Sequence, residues 1–195
     1  MTFEVDSRNL RATLQRLAES VEDQSDALDA IGSKLVELIH IGLIEGVSPN
    51  GQPLKPLSSV GLDARYKGKR YGKKGATTSK YYKHMTGPHQ PLMSTSQHIY
   101  NRINHQMIGK DTVLVGLRDG PEHIGAVHQF GATIVPKRAK YLAIPFAGGV
   151  IFSKKAVIPA RPYLPIDQSG NVDMPTEWQQ EIEDIIDAKI GKAIS

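Results

Sequence analysis

The residues best suited to acid–base or metal chemistry lie in the middle of the chain. Six of the seven histidines are found there: His84, His89, His98, His105, His123 and His128. Imidazole titrates near neutral pH and is a common metal ligand, so a hydrolase or a metal site is the first possibility to test. His123 and His128 are five positions apart, whereas a zinc pair on a helix needs a spacing of four. The histidine spacing therefore gives no recognisable metal site.

Carboxylates that would complete a catalytic site are scarce in the same region, and they are scattered: Asp63, Asp111, Asp119 and Glu122. A metal nuclease or a glycosidase needs acidic groups that converge on one point. The sequence therefore predicts no enzyme, no metal site and no cofactor. We interpret His128 as an imidazole held by a hydrogen bond at the end of a helix.

A basic segment from residue 65 to residue 83 contains eight basic residues, four tyrosines and no acidic residue. It lacks the glycine spacing and the Ser or Thr after lysine that a phosphate-binding loop requires. One interpretation is contact with nucleic acid, in which cations neutralise phosphates and tyrosines stack. The other is a solvated loop, or one docked on an acidic protein surface. The candidate contacts are Arg65, Lys67, Lys69, Arg70, Lys73, Lys74, Lys80 and Lys83.

Charge is unevenly distributed along the chain, although the net value is only +4. Residues 1–45 hold four basic and nine acidic residues, and residues 167–195 hold two and seven. The middle holds 18 basic and four acidic residues. Such a chain could bind a polyanion through its middle, or pair with copies of itself in a ring.

Several classes of protein are not expected. Cysteine is absent, which fits assembly in a reducing cytoplasm. No apolar run approaches the roughly 20 residues that a bilayer span needs, and the N-terminus lacks the pattern of a secretory signal. We therefore expect a protein assembled in the cytoplasm, with no membrane partner.

The strongest predicted element is a helix that begins at Ser25 or Asp26 and ends at Gly46. Its apolar residues recur at steps of three and four, and they cover an arc wider than a one-sided surface helix needs. We expect it to pack on two sides, against a sheet and against a neighbouring subunit. Its apolar residues are Leu28, Ile31, Leu35, Val36, Leu38, Ile39, Ile41, Leu43 and Ile44.

Strands are predicted in the middle of the chain and helices at both ends. An earlier short strand at 2–6 and a helix from Ser7 precede the long helix, and a C-terminal helix is expected from about Pro175 to Gly191. The pattern indicates an α+β fold, with an antiparallel sheet packed against the long helix and a C-terminal helix. We expect a single domain over 1–195, with an extended basic loop at 47–91. The predicted strands are 99–108, 112–117, 132–135, 140–146 and 150–157.

The segment IGAVHQFGATI at 124–134 is the most distinctive local pattern. Ile124, Val127 and Phe130 fall at helical spacing, and Gly131 is the residue type that a left-handed helix stop requires. A strand should follow at once. We expect the later segment PARPYL at 159–164 to pack nearby.

Four segments resemble the virion morphogenesis family of tailed bacteriophages, which includes tail completion proteins and the G protein of Mu-like phages. The resemblance lies in their order and spacing, and the pair HQFG and PARPYL is its specific part. The segments are SPNGQPLKPLS at 48–58, AVHQFGATI at 126–134, YLAIPF at 141–146 and IPARPYLPI at 158–166.

The resemblance implies a structural virion protein that acts at the head-proximal end of the tail, completing it or joining it to the head. Together with the wide apolar arc of the long helix and the segregation of charge, the order of the motifs leads us to expect a ring and, by analogy with the symmetry of phage tails, a hexamer. The expected partners are other copies of the chain, the tail tube or terminator, head–tail connector proteins and packaged DNA. A nucleic-acid-binding module that uses residues 65–83 is the alternative. The family residues would be architectural: His128, Gln129, Phe130, Gly131, Pro159, Arg161, Pro162 and Tyr163.

Within that set, particular roles follow from side-chain chemistry. Gly131 would permit the turn from helix to strand, and the prolines would stiffen the approach to the last helix. Phe130 and Tyr163 would bury ring area. The Arg161 guanidinium would either brace the domain or reach a carboxylate on an adjacent copy.

Overall fold

The computed structural model describes residues 14–15, 18, 24–57, 92, 99–118, 122–146 and 149–194. These fall into two compact units. One takes its described residues from the chain up to Leu38, from Ile103–Gly116 and from Met174 onward, and the other from Ile39 to Arg102 and from Leu117 to Asp173. Helices and small antiparallel sheets make up both, so the predicted α+β class is confirmed. The single-domain expectation stays a prediction.

The long helix α1 spans Ser25–Glu45, as predicted from its periodicity. Its first turn is closed by a hydrogen bond of 2.9 Å from the Leu28 N–H to the carbonyl oxygen of Gln24. At its end, Gly46 adopts a φ of 73°, a conformation that costs glycine least. The stop expected at Gly46 is therefore confirmed, with its physical cause.

Helix α1 carries apolar residues on a buried side and also on an exposed side, as its wide apolar arc predicted. Ile39 and Leu43 are each 2% exposed, whereas Ile41 is 41% and Ile44 is 52% exposed. The first pair belongs to the core, and the second leaves apolar surface open to solvent.

In the first unit, strands β1 (Ile103–Ile108) and β2 (Thr112–Leu117) form a hairpin that packs on α1. The contact is made at Gly32, where a Cβ would come within 2.8 Å of both His105 and Val113. Glycine at this position lets the hairpin approach the helix backbone. The turn passes through Gly109, which has a φ of 65°.

The strand predicted over 99–108 begins later than expected. Residues Tyr100–Arg102 form a 3-10 turn, closed by a 3.1 Å hydrogen bond from the Arg102 N–H to the carbonyl oxygen of Ile99. The His40 ring stacks on Tyr100 with centroids 4.0 Å apart, and its Nε2 lies 3.0 Å from the Tyr100 carbonyl oxygen. Local hydrogen bonding and stacking thus replace strand pairing here.

The C-terminal helix, α3, spans Thr176–Ile194. Trp178 is 8% exposed, and ion pairs of 3.3 Å join Glu181 to Lys34 and Lys189 to Asp26 on α1. The stop predicted at Gly191 is wrong, because the helix continues through it without a left-handed residue. A lone glycine weakens a helix by roughly 1 kcal/mol but does not end it.

The second unit contains helix α2 (Glu122–Phe130) and four strands: β3 (Ala132–Ile134), β4 (Leu142–Phe146), β5 (Gly149–Ser153) and β6 (Ala156–Ile158). Strand β3 pairs with β6 and strand β4 with β5, both antiparallel. Among the described residues the strands thus form separate two-stranded sheets. The expectation of one sheet is wrong in this respect.

The strand predicted over 150–157 is interrupted at Lys154 and Lys155. The Ser153 hydroxyl donates to the carbonyl oxygen of Lys155 at 2.6 Å and accepts from its N–H at 3.3 Å. A serine hydroxyl that bonds backbone two residues onward competes with strand pairing. The chain therefore leaves β5 and enters β6 with a new partner strand.

Candidate functional site

The proline-rich loop at residues 47–57 is ordered by its own backbone and by one buried hydroxyl. Ser48 is 7% exposed, and its Oγ accepts from the Gln52 N–H at 3.1 Å. Its N–H donates to the Gln52 carbonyl oxygen at 2.8 Å, and the Leu54 N–H donates to the Gly46 carbonyl oxygen at 2.8 Å. Leu54 is 7% exposed. The loop is therefore ordered over this range, and residues 58–91 of the basic loop expected over 47–91 lie outside the described residues.

Helix α2 buries a different face from the one that its apolar spacing predicted. Ile124 is 41% and Phe130 is 38% exposed, whereas Gln129 is only 4% exposed. Gly125, one turn before Gln129, is also buried. The expectation that Phe130 would bury its ring is therefore wrong, because the inward face is made of a glycine and an amide.

The Gln129 side chain is the centre of this site. Its Oε1 accepts hydrogen bonds of 3.0 Å from the backbone N–H groups of Tyr163 and Leu164. Its Nε2 donates to the carbonyl oxygens of Leu164 at 2.9 Å and Ile166 at 3.3 Å. One amide thus pairs with backbone donors and acceptors as a strand would, and a buried glutamine becomes fully satisfied.

Arg161 makes the second long-range connection. It is 4% exposed, its Nε donates to the Lys55 carbonyl oxygen at 2.6 Å, and its Nη2 donates to the Pro56 carbonyl oxygen at 2.9 Å. The planar guanidinium fork suits two adjacent acceptors. Of the two roles expected for Arg161, the first is therefore found: it braces the unit by fixing the proline-rich loop.

Tyr163 follows Arg161 in the same segment and is 3% exposed. Its expected burial is confirmed. A Cβ placed on Gly125 would lie 2.8 Å from Oη of Tyr163 and 3.2 Å from Cδ2 of Leu117. Burial raises the pKa of Tyr163 to about 12, because the phenolate would lose its hydration. The phenol therefore stays neutral at physiological pH.

Gly131 performs the reversal that the sequence predicted. Its φ is 76°, and a Cβ there would lie 2.9 Å from the Ala160 nitrogen and 3.0 Å from the Ile158 oxygen. Both the conformation and the close approach require glycine. The Arg161 N–H donates to the His128 carbonyl oxygen at 2.7 Å, so the end of α2 is attached to the segment between Pro159 and Pro162.

Beyond Tyr163, the segment ends in a turn around Asp167. The Asp167 carboxylate accepts from the N–H groups of Ser169 and Asn171 at 2.8 Å each. Hydrogen bonds from Asn171 lower the pKa of Asp167, because they favour the ionised form. Isolated pairing of Ile166 with Val172 closes the turn.

The structure describes only some of the other candidate residues. The eight basic candidates between Arg65 and Lys83 lie outside the described residues, as do His84, His89 and His98. His123 is exposed and His128 is half-buried, while His105 Nε2 lies 2.9 Å from Oδ1 of Asp29. Within the described ranges, no three His, Asp or Glu side chains come together as metal ligands would.

Sequence reasoning missed Gly125 and the carbonyl groups of Lys55 and Pro56. A polar residue four positions after a small one on a short helix was the available signal for Gly125 and Gln129. No linear pattern identifies two carbonyl oxygens as acceptors for an arginine more than a hundred positions later. The hydrogen bonds described above from the side chains of Gln129 and Arg161 all join main-chain groups, so this site holds backbone segments in place.

A protein-family model, the phage virion morphogenesis family, matches residues 5–191. The chain belongs to the phage virion morphogenesis family. The match includes both the Gln129 helix and the Arg161 segment, so the resemblance found from the motifs is confirmed at family level. No curated protein and no solved structure gives a significant match.

Family membership supports a role in building the phage particle. Among the described residues, none of the helices combines the length and hydropathy of a membrane span.

Proposed function

We propose that this member of the phage virion morphogenesis family is a non-catalytic structural protein at the head-proximal end of the phage tail. It completes the tail or joins it to the head, as a ring of copies, most simply a hexamer. Its partners are other copies of itself, the tail tube or terminator, and head–tail connector proteins. It is assembled in the host cytoplasm and stays at the neck of the virion.

The observation that carries this proposal is that side chains of the family motifs hold backbone segments together. Gln129 and Arg161 are both 4% exposed, and the bonds described above tie three segments together: helix α2, the proline-rich loop and residues 161–166. Buried polar groups of this kind define a unique packing rather than act on a substrate. This use suits a protein whose surface must keep one shape in a multi-copy assembly.

Exposed apolar surface also favours an assembly role. Ile44, Val150, Phe152 and Val157 are 52%, 49%, 68% and 64% exposed, respectively. Val150 and Phe152 are two residues apart on β5 and so lie on the same face of that strand, and exposed apolar side chains that lie together mark interaction sites in soluble proteins. A subunit that is covered by neighbours in a particle would hide such residues.

Electron microscopy of purified virions that carry a tagged copy of this chain tests the proposal. We expect density for a closed ring at the junction of tail and neck, and tails that fail to join heads when the gene is inactivated. Finished virions that lack the chain, together with normal head–tail joining in its absence, would refute the structural role. A phage lacking an unrelated non-essential gene is the matched control for particle yield.

Contact with packaged DNA is a second candidate, supported by the eight basic residues and no acidic residue in 65–83. Neutralised phosphates release counterions, so the logarithm of the affinity should fall with log salt by about 0.9 per phosphate contact. Replacement of the lysines in this segment by glutamine should flatten that slope. Equal DNA binding by the parent and the replaced protein at all salt concentrations would exclude this segment as the contact.

A further inference from the structure

Helix α3 presents two different faces. The inner face contains Trp178 and the ion-paired Glu181 and Lys189, which contact α1 in the same unit or are buried there. On the outer side, four residues follow the spacing i, i+3, i+4, i+7 and so lie in one stripe. We call it the helix stripe: Glu183, Ile186, Asp187 and Ile190.

The helix stripe combines apolar and acidic groups. Ile186 is 40% and Ile190 is 41% exposed, and Glu183 and Asp187 are exposed beside them. A helix that needed only solvation on this side would not place two isoleucines one turn apart there. The stripe has the composition of a surface that meets a partner with apolar and basic groups.

The hairpin of β4 and β5 has such groups. Side chains alternate between the two faces of a strand, and Ala143 pairs with Phe152 across the two strands. Phe152 is 68%, Val150 is 49% and Tyr141 is 39% exposed, and Ala143 is exposed as well. We call these four residues the hairpin face.

One end of this hairpin is strongly basic. The antiparallel register brings the chain before β4 next to the chain after β5, and residues 132–166 contain no acidic residue. Lys140 also lies over the Tyr141 ring, with Nζ 5.7 Å from the centroid. The exposed cations of this basic end are Lys137, Arg138, Lys140, Lys154 and Lys155.

We propose that the hairpin face of one copy docks on the helix stripe of the next copy, with the basic end of the hairpin against the acidic residues of the stripe. Val150 and Phe152 are two residues apart on a strand, about 7 Å, and Ile186 and Ile190 are four apart on a helix, about 6 Å. The apolar pairs therefore match in spacing, while opposite charges surround them. The inference rests on the proposed function and supplies its contact between copies.

A second copy explains this surface better than a nucleic acid does. A nucleic-acid surface places cations where the phosphates run, whereas here apolar side chains occupy the centre and the cations stand to one side. Because the two surfaces are different patches of one chain, their contact is heterologous. Repetition of a heterologous contact closes into a ring when the rotation permits.

Charge exchange between the two surfaces tests the proposal. We expect Glu183→Lys with Asp187→Lys, and separately the combination of Lys140→Glu, Lys154→Glu and Lys155→Glu, each to weaken self-association on the order of tenfold or more, because like charges then face each other. Mixing the two variants should restore the complex, since each reversed surface meets a complementary one. Sedimentation velocity and light scattering report the mass of the full-length chain.

Matched controls keep the result specific. Glu177→Lys on the same helix, outside the stripe, and Arg118→Glu, outside the basic end, should leave the mass unchanged. Circular dichroism should show that every variant is folded. A purified parent chain that is monomeric at high micromolar concentration would overturn the proposal, as would unchanged assembly in both reversed variants or a mixture that stays dissociated.

Three further outcomes separate the docking proposal from contact with DNA and from the proposed function. If the combination of Lys140→Glu, Lys154→Glu and Lys155→Glu abolished binding to a DNA duplex without changing the mass, the basic end would be a nucleic-acid contact and the docking proposal would fail. If the charge exchange failed but virion imaging showed the chain at the neck, only the interface would be wrong. Restored association on mixing would support the interface even for a chain located elsewhere in the particle.

Discussion

The phenolic oxygen of Tyr163 occupies the space that a side chain at position 125 would need, since a Cβ on Gly125 would lie 2.8 Å from Oη. Gly125→Ala should therefore destabilise the protein by roughly 1–3 kcal/mol, the usual cost of overpacking. In the Tyr163→Phe background the same change should cost about 1 kcal/mol less. Denaturant unfolding of the double-mutant cycle measures this coupling.

Gly116→Ala is the control for that cycle, because a Cβ at Gly116 meets nothing within 4 Å. It should be close to neutral in both backgrounds. Additive effects of the changes at 125 and 163 would show that the hydroxyl is not the obstacle.

Gln129→Ala should be among the most destabilising substitutions in α2. It removes an amide that serves two backbone N–H groups and two carbonyl oxygens, and buried groups left unpaired cost roughly 1–3 kcal/mol each when water cannot reach them. We expect a loss of roughly 2–4 kcal/mol in chemical denaturation. Gln180→Ala, which removes only an exposed contact with Asp184, should change stability by less than about 0.5 kcal/mol; similar losses at both positions would contradict the role of Gln129.

Arg161→Lys should fail to replace arginine although it keeps the charge. Lysine has a single ammonium group, whereas the two acceptors at Lys55 and Pro56 are served by two nitrogens of the guanidinium. Because the charge is buried, we expect a loss of roughly 2–4 kcal/mol in chemical denaturation and faster amide hydrogen exchange in the loop at residues 47–57. Arg138→Lys, at an exposed position, is the matched control, and unaltered hydrogen exchange in Arg161→Lys would argue against the brace.

Gly131→Ala and Gly51→Ala separate backbone conformation from close packing. Both glycines have a φ near +70°, at 76° and 71°, so alanine pays a left-handed cost of roughly 1–2 kcal/mol at either site. Only Gly131 also faces backbone, at 2.9 Å from the Ala160 nitrogen, while nothing lies within 4 Å of a Cβ at Gly51. Thermal unfolding should show the larger loss for Gly131→Ala; equal losses would mean that the Ala160 segment moves aside freely.

The buried phenol of Tyr163 should make stability fall at alkaline pH. Its pKa is raised to about 12 in the folded chain and is about 10 in an unfolded one. The unfolded chain therefore loses this proton first, so the contribution of Tyr163 is complete below pH 10 and is lost as the pH rises from 10 to 12.

Comparison with Tyr163→Phe isolates this titration from those of other groups. The stability difference between the parent and the variant should shrink by up to roughly 2 kcal/mol between pH 9.5 and pH 11.5. Urea unfolding at several pH values in that range measures it. Parallel pH profiles for the two proteins would show that Tyr163 ionises freely in the folded state.

Elements with strong local signals could be predicted from the sequence, and long-range polar contacts could not. The bounds of α1 follow from its periodicity and from Gly46, and the turn at Gly131 follows from a residue type that alone tolerates its φ. The break at Ser153 depends on one hydroxyl that bonds backbone two residues on. The spacing of apolar residues cannot reveal that the Ser153 hydroxyl bonds in this way, because a serine can equally well continue a strand.

The candidate site shows the same division between local and distant information. The motifs around His128 and Arg161 could be identified, and so could their nearness to each other. That Gln129, and not Phe130, faces inward depends on a partner segment 34 to 37 residues later. Apolar periodicity predicts that the most hydrophobic side chains lie on the buried face. Here a fully hydrogen-bonded amide, that of Gln129, lies on the buried face instead.

The contact between Arg161 and the proline-rich loop can form only late in synthesis of the chain. The two acceptors of Arg161 lie 105 and 106 residues earlier in the sequence. Contacts of such large sequence separation raise the contact order of a protein. At about 5–20 residues per second, a ribosome needs about 5–20 s to travel from Lys55 to Arg161. The proline-rich loop cannot be held by this brace before then, so a chain released early lacks it altogether. Arg161 therefore gives the proline-rich loop a hold that only a chain extended at least to residue 161 can form.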